Sequence, residues 1–179
     1  ATTEIYTLSL HDARPIFISA SASEGTLGRE HLFELLRLVD QSEFVYILET
    51  NGMTLGNDAS FAQQLAAFKN LHVRVSIKGT SQQEYHRLTD ALPESYELPF
   101  KALKHLIDAG VSCNACVMIS FSDEAGIQAV EKKLFETHPG LLKSLEKEHI
   151  TPFPKVAKRL SKNGLKPNSI AFKGKVVNL

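Results

Sequence analysis

The sequence predicts an α/β protein built on a parallel sheet with right-handed crossovers. Two observations carry this: short apolar, β-branched runs alternate with stretches of helical periodicity, and capping residues and glycine stops punctuate them at βαβ spacing. Residues 17–20 read as a strand, followed by a helix over 29–40 with Leu32, Leu35, Leu36 and Val39 on one stripe. Residues 44–49 form the next strand, closed by the turn signal Asn51-Gly52. Asp58 is placed as the N-cap of a helix reaching Lys69, with Phe61, Leu65 and Phe68 inward. Residues 71–77 form a β-branched strand that Lys78-Gly79 ends, and Ser81 caps a short helix through Leu88. A helix over 96–109 stops at Gly110, and residues 111–120 are another strand. Asp123 opens a further helix to residue 136, Pro139 begins a last helical stretch, and 150–153 reads as a short strand. The tail, 154–179, is basic and punctuated by Gly and Pro, and receives no assigned element.

Composition narrows the function classes. A chain of 179 residues suits one domain with a real core. Its 20 Lys and Arg match 20 Asp and Glu, and no basic stripe announces nucleic acid. No apolar run approaches the ~18 residues of a membrane span. Two cysteines are too few for a disulfide scaffold. Residues 1–16 lack the regions of a signal peptide, so the expectation is a cytoplasmic protein.

Those sixteen residues, Ala1 to Ile16, resemble the conceptual translation of a common sequencing adapter and depart from it only at Arg14. They read as an artefactual leader rather than an edge strand, and are set aside from fold reasoning, His11 and Asp12 included. The natural sequence is then expected to begin near Phe17, with an unrecorded segment before it.

Strands of a parallel sheet are ordinarily apolar on both faces. Here three strands are polar on one face only. Arg74, Ser76 and Lys78 oppose Val73, Val75 and Ile77, while Ser112, Asn114, Cys116, Met118 and Ser120 share a face opposite Cys113, Ala115, Val117, Ile119 and Phe121. In the strand over 44–49, Glu49 and Asn51 fall together near its C-terminal end. A buried polar group left unpaired costs roughly 1–3 kcal/mol. A polar face repeated on neighbouring strands therefore points to a ligand site, and the C-terminal strand ends are where such sheets bind.

Cys113-Asn114-Ala115-Cys116 has CxxC spacing, but within a strand residues three apart point to opposite faces. Two thiolates do not hold a cubane cluster, and no second CxxC or paired histidines complete a zinc set. Both cysteines read as core residues, with no metal ligand assigned.

Several segments together resemble the radical-SAM superfamily. Ile47-Leu48-Glu49-Thr50-Asn51-Gly52 with Leu55-Gly56 resembles its third-strand segment, and Val73-Arg74-Val75-Ser76-Ile77-Lys78-Gly79 its fourth. Tyr85-His86-Arg87-Leu88-Thr89 is similar to the helix that follows, and Leu106-Ile107-Asp108-Ala109-Gly110-Val111 to the entry of the fifth strand. Ala22 to Gly28 stand where the family carries its Gly-Gly-Glu-Pro motif. The likeness spans 18–153 and is strongest between Glu49 and Met118.

The resemblance implies a partial parallel (β/α) barrel over 17–153, lacking its first strand and the Cys-x3-Cys-x2-Cys loop that holds a 4Fe-4S cluster. The parent protein would cleave S-adenosylmethionine reductively to a 5′-deoxyadenosyl radical, with a flavodoxin or ferredoxin as reductant. The fragment alone would be inactive and would carry no cluster. By the same analogy Glu24 and its neighbours, Thr26 among them, lie near the methionine amino group, chiefly through backbone carbonyls. Ser76 and Lys78 lie near the methionine carboxylate or the ribose, Asn114 or Ser112 line the ribose side, and Glu49 or Asn51 the lumen. Three departures stand out: Ala22, Ser23 and Gly25 replace both glycines and the proline of the motif, Asp90 follows Thr89 where Gly is common, and the cysteine loop is missing. The rival readings are a cluster-free α/β domain binding a small molecule or a partner, and an ordinary (β/α) enzyme using Glu49 or Lys78 as acid, base or Schiff-base lysine. The substrate is not legible.

Overall fold

The computed structural model describes residues 17–20, 26 and 28–179, the first four through their backbone alone. Five strands form one wholly parallel sheet in sequential order: β1 (Phe17–Ala20), β2 (Val45–Thr50), β3 (Leu71–Lys78), β4 (Cys113–Met118) and β5 (Glu146–Glu148). Helices fill the crossovers: α1 (Arg29–Asp40), the short pair α2 (Met53–Asn57) and α3 (Ala59–Leu65), α4 (Gln82–Thr89), α5 (Leu98–Asp108) and α6 (Glu124–Thr137). A C-terminal helix, α7 (Pro154–Lys162), and an antiparallel hairpin, β6 (Ser169–Phe172) with β7 (Lys175–Asn178), complete the chain.

The helices cover one face of the sheet. Leu48, Val73, Val75, Ile77, Ala115 and Val117 on that face are fully buried. Each large aliphatic among them contributes about 1.5–3 kcal/mol through burial. β3 shows the asymmetry directly, since Leu71, Val73, Val75 and Ile77 are buried while His72, Arg74, Ser76 and Lys78 are half-buried on the other face. Sequential order accounts for this, because crossovers of the usual right hand return each helix on the same side.

Local signals seat the helices. Asp58 accepts from the Ser60 backbone N–H, Ser81 from Glu84 and Asp123 from Gly126, all three as expected of N-caps. Gly110 takes positive φ directly after α5 and its C-cap Ala109. The strand over 44–49 is offset by one residue at each end, and α2 was not anticipated. Gly52 and Gly56 explain α2: a Cβ at Gly56 would lie 2.3 Å from the Leu98 carbonyl oxygen, and one at Gly52 2.9 Å from Pro99 Cα. The glycines thus let α2 lie against α5, where His105 Nδ1–H donates to the Leu55 carbonyl at 2.8 Å.

Two expectations fail near the C-terminus. The helical stretch from Pro139 is a single 3-10 turn, Pro139–Leu142, and the last parallel strand is Glu146–Glu148 rather than 150–153. Lys147 turns toward α6 and pairs with Glu131 at 2.7 Å, so the two glutamates face the polar side. Among the described residues no helix is long and apolar enough to cross a membrane.

The close α2–α5 approach leaves no room for a methyl group. Gly56→Ala is expected to cost about 2 kcal/mol through overpacking, read as a lower urea midpoint at unchanged slope.

Candidate functional site

The exposed side of the sheet is lined by a continuous polar network centred on Arg74. Strand alternation aims Glu49 from β2, Arg74 from β3, Asn114 from β4, and Glu146 and Glu148 from β5 at the same space. Arg74 Nη1 donates to Glu49 Oε1, and its Nη2 donates to Glu146 Oε2 at 2.5 Å. The Nε–H reaches Glu146 Oε1 and Nη2 also reaches Glu148 Oε1, both at 3.3 Å. Burial alone would lower the Arg74 pKa; its hydrogen bond to Glu146 and the neighbouring negative charge outweigh burial and raise the value. Such charge-assisted, forked bonds hold a guanidinium in one orientation.

The network continues toward the start of the strands. Asn114 Nδ2 donates to Glu146 Oε1 at 2.7 Å and to the Ser144 carbonyl at 3.2 Å. Its Oδ1 therefore faces His72 Nε2, 2.9 Å away, and accepts a hydrogen bond from the Nε2–H. On the neutral ring Nδ1 then accepts from the Ser112 hydroxyl at 2.8 Å. His72 is thus held as its Nε2–H tautomer by its neighbours.

At the opposite, C-terminal end the face opens into a cleft of about 460 Å³. Lys78, Met118, Phe121 and Ile150 form its floor, and Val156, Arg159 and Leu160 of α7 form one wall. The chain around α7 is riveted to this end of the sheet. Buried Ser120 supplies Oγ to the Ile150 backbone N–H at 2.7 Å and its carbonyl to those of Asn168 and Ser169 at 2.6 and 3.2 Å. Asn168 Nδ2 donates to the Ser122 carbonyl at 3.1 Å. His149 Nδ1 and Ser169 Oγ lie 2.8 Å apart, and burial lowers the His149 pKa.

Beside this cleft a buried carboxylate ties two loops together. Glu84 accepts from the Thr80 backbone N–H and hydroxyl at 2.8 and 2.9 Å, and from the Ser122 hydroxyl at 2.9 Å. Loops after β3 and β4 thereby meet on one side chain. Gly79 adopts φ +80°, and a Cβ there would lie 2.7 Å from Glu84 Cγ.

The residues singled out from sequence divide into distinct places. Glu49 and Asn114 belong to the Arg74 network, and Ser112 lies at its exposed N-terminal end. Lys78 lies at the cleft, with Ser76 between it and Arg74 on β3. Lys78 Nζ stands 3.9 Å from Glu148 Oε2, a long pairing. Asn51 accepts from the Met53 backbone N–H at 2.9 Å at the start of α2, and buried Thr26 donates to Thr54 Oγ1 at 3.2 Å. Thr26 and Asn51 therefore both sit beside α2, while Glu24 lies outside the described residues. Glu146, Glu148, His72, Glu84 and Arg159 complete these clusters and were not selected from sequence. The Glu-Lys-Glu alternation at 146–148 was the available signal, in a strand too short to show periodicity.

The cysteines do not form a pair. Cys113 packs against the core, whereas Cys116 faces the Arg74 side, with Asn114 Nδ2 3.7 Å from its sulfur. Burial pushes the thiol pKa to about 11 at Cys113 and about 12 at Cys116. Cys116 Sγ and carboxylate oxygens of Glu146 and Glu148 lie within 4.8 Å of one another, a spacing that could hold a metal ion. The Arg74 guanidinium already pairs with both carboxylates, so in this structure their oxygens are engaged in ion pairs beside the thiol. Comparison with known protein families and with curated proteins finds no match to this chain.

Raised thiol pKa values make both cysteines poor nucleophiles in the folded state. At pH 8 iodoacetamide is expected to label native protein at least ~10-fold more slowly than urea-unfolded protein, by mass spectrometry.

Proposed function

We propose that this chain carries the central strands of a radical-SAM enzyme, whose parent cleaves S-adenosylmethionine reductively to a 5′-deoxyadenosyl radical. The observation that carries the reading is a sequentially ordered parallel sheet with helices on one face and a polar lining on the other. In this reading the sheet is part of a (β/α) barrel and the polar face is its lumen. Arg74 ties that lining together, because it reaches carboxylates on β2 and β5 at once, passing over β4.

The residues of this chain do not fit an iron–sulfur cluster. Cys113 and Cys116 lie on opposite faces of β4 with protonated thiols, and a cubane needs more thiolates than they supply. The cluster cysteines of the parent would come from elsewhere, and the chain alone would be inactive. A methionine carboxylate, by contrast, suits Lys78, whose ammonium is only loosely paired at the mouth of the cleft. Ser76 stands beside it to serve the carboxylate or ribose hydroxyls. Thr26 and Asn51 lie at the α2 side of the same strand ends, Thr26 toward the methionine amino group and Asn51 toward the lumen. Glu49 and Asn114 act through Arg74, holding the floor of the lumen, and Ser112 is farthest from the strand ends. A flavodoxin or ferredoxin would supply the electron.

The test is the contiguous gene with its product purified anaerobically. The reading expects Cys-x3-Cys-x2-Cys encoded before Phe17, a brown protein after iron and sulfide reconstitution, and 5′-deoxyadenosine on reduction with S-adenosylmethionine. A complete gene without that loop, or a colourless product after reconstitution, overturns it in favour of a cluster-free binding domain.

A further inference from the structure

We infer that the cleft between the C-terminal strand ends and α7 binds a small anionic molecule with an apolar body, its anionic group held by Arg159 and Lys78. As a substrate site this rests on the radical-SAM reading, in which the methionine carboxylate takes Lys78 and Arg159 meets the substrate; as a binding site of the chain by itself, where both cations hold the anion, it does not.

The first argument is the cleft's own chemistry. Its volume of about 460 Å³ falls in the range of small-molecule sites. Leu88, Met118, Phe121, Ile150, Leu160 and Leu165 give it an apolar lining, into which Lys78 and Arg159 bring charge. No Asp or Glu lines it. An apolar wall with two cations and no carboxylate favours a ligand with the opposite charge and a greasy remainder.

The second argument is that these cations are not neutralised internally. Arg159 makes no side-chain hydrogen bond or ion pair among the described residues; its side chain is exposed on α7, a helix with no buried residue. Lys78 has only the 3.9 Å pairing with Glu148, whose carboxylate is shared with Arg74. Elsewhere on the same sheet face Arg74 is saturated by carboxylates, so the contrast is local.

A third argument comes from charge distribution along the chain. Every Asp and Glu lies at or before Glu148, whereas seven of the 20 Lys and Arg follow it. The segment that walls the cleft is therefore uniformly positive, and its field draws anions to that end of the sheet. Val156, Arg159, Leu160 and Asn163 recur at helical spacing, which puts them on the side of α7 that lines the cleft.

Octanoate is the probe, measured by isothermal titration and amide shift perturbation on the whole chain, with octylammonium and inorganic phosphate as comparators. Octanoate is expected to bind saturably and to shift amides around Met118, Ile150 and Leu160. Octylammonium, with the head charge reversed, and phosphate, without a body, are each expected to bind about 10-fold more weakly or not at all. Arg159→Gln and Lys78→Gln are each expected to weaken octanoate about 5- to 10-fold at an unchanged melting temperature. Lys155→Gln, on α7 but outside the cleft, should stay within about twofold. Equal binding of octylammonium, or octanoate affinity unchanged in a folded Arg159→Gln protein, overturns the inference. Neither outcome depends on a cluster, so failure here is separate from failure of the radical-SAM reading.

Discussion

The guanidinium of Arg74 is the constraint on which the open side of this protein depends. A parallel sheet that leaves one face without helices exposes it to water or to a lumen, and the sequence fills it with charge. Glu49, Glu146 and Glu148 would repel one another if left alone in that space. Arg74 offers several donors in a rigid plane, and one side chain bonds all three. Through Glu146 the same side chain also fixes the Asn114 amide, and through Asn114 the tautomer of His72. A lysine could neutralise one carboxylate but could not order this set.

The Arg74 network divides the polar face into regions with different chemistry. Toward the strand starts, hydrogen bonds are saturated from Ser112 through His72 and Asn114, and the arrangement reads as structural. Toward the strand ends, Lys78 is loosely paired and Arg159 unpaired, beside an apolar cleft. Glu84 and Ser120 hold this end in shape, one by tying the loops after β3 and β4, the other by anchoring the chain around α7. A saturated floor and an unsatisfied mouth are what a binding site in an α/β sheet needs, since charge at the floor positions the walls and charge at the mouth meets the ligand.

Much of this architecture was legible in the sequence because periodicity and capping agreed. The alternation of residues 71–78 announced both faces of β3, and Asp58, Ser81 and Asp123 marked their helices by the chemistry of an oxygen acceptor at an N-terminus. What could not be read depended on contacts distant in sequence. Glu146–Glu148 is a strand only because it pairs with β4, and three residues carry no period of their own. α2 exists because Gly52 and Gly56 admit α5, a tertiary reason with a weak local signal. Glu49, Ser76, Lys78, Ser112 and Asn114 share the polar face of the sheet, but sequence could not tell Glu49 and Asn114, spent on Arg74, from Lys78 at the cleft. Arg159 belongs to the charge run 155–160, which reads from sequence as a solvated helix face, because such a run on a terminal helix looks the same whether or not it walls a cavity.

The central claim is that Arg74 and the β5 carboxylates are one coupled unit across the sheet. A double-mutant cycle of Arg74→Met and Glu146→Gln, measured by urea unfolding, tests it most directly. Both groups retain partial exposure, 20% and 44%, so the gain is smaller than for a fully buried pair. The account predicts a coupling energy of about 1 kcal/mol, with the second substitution costing less once the first is made. Additive effects, with coupling indistinguishable from zero, would contradict it.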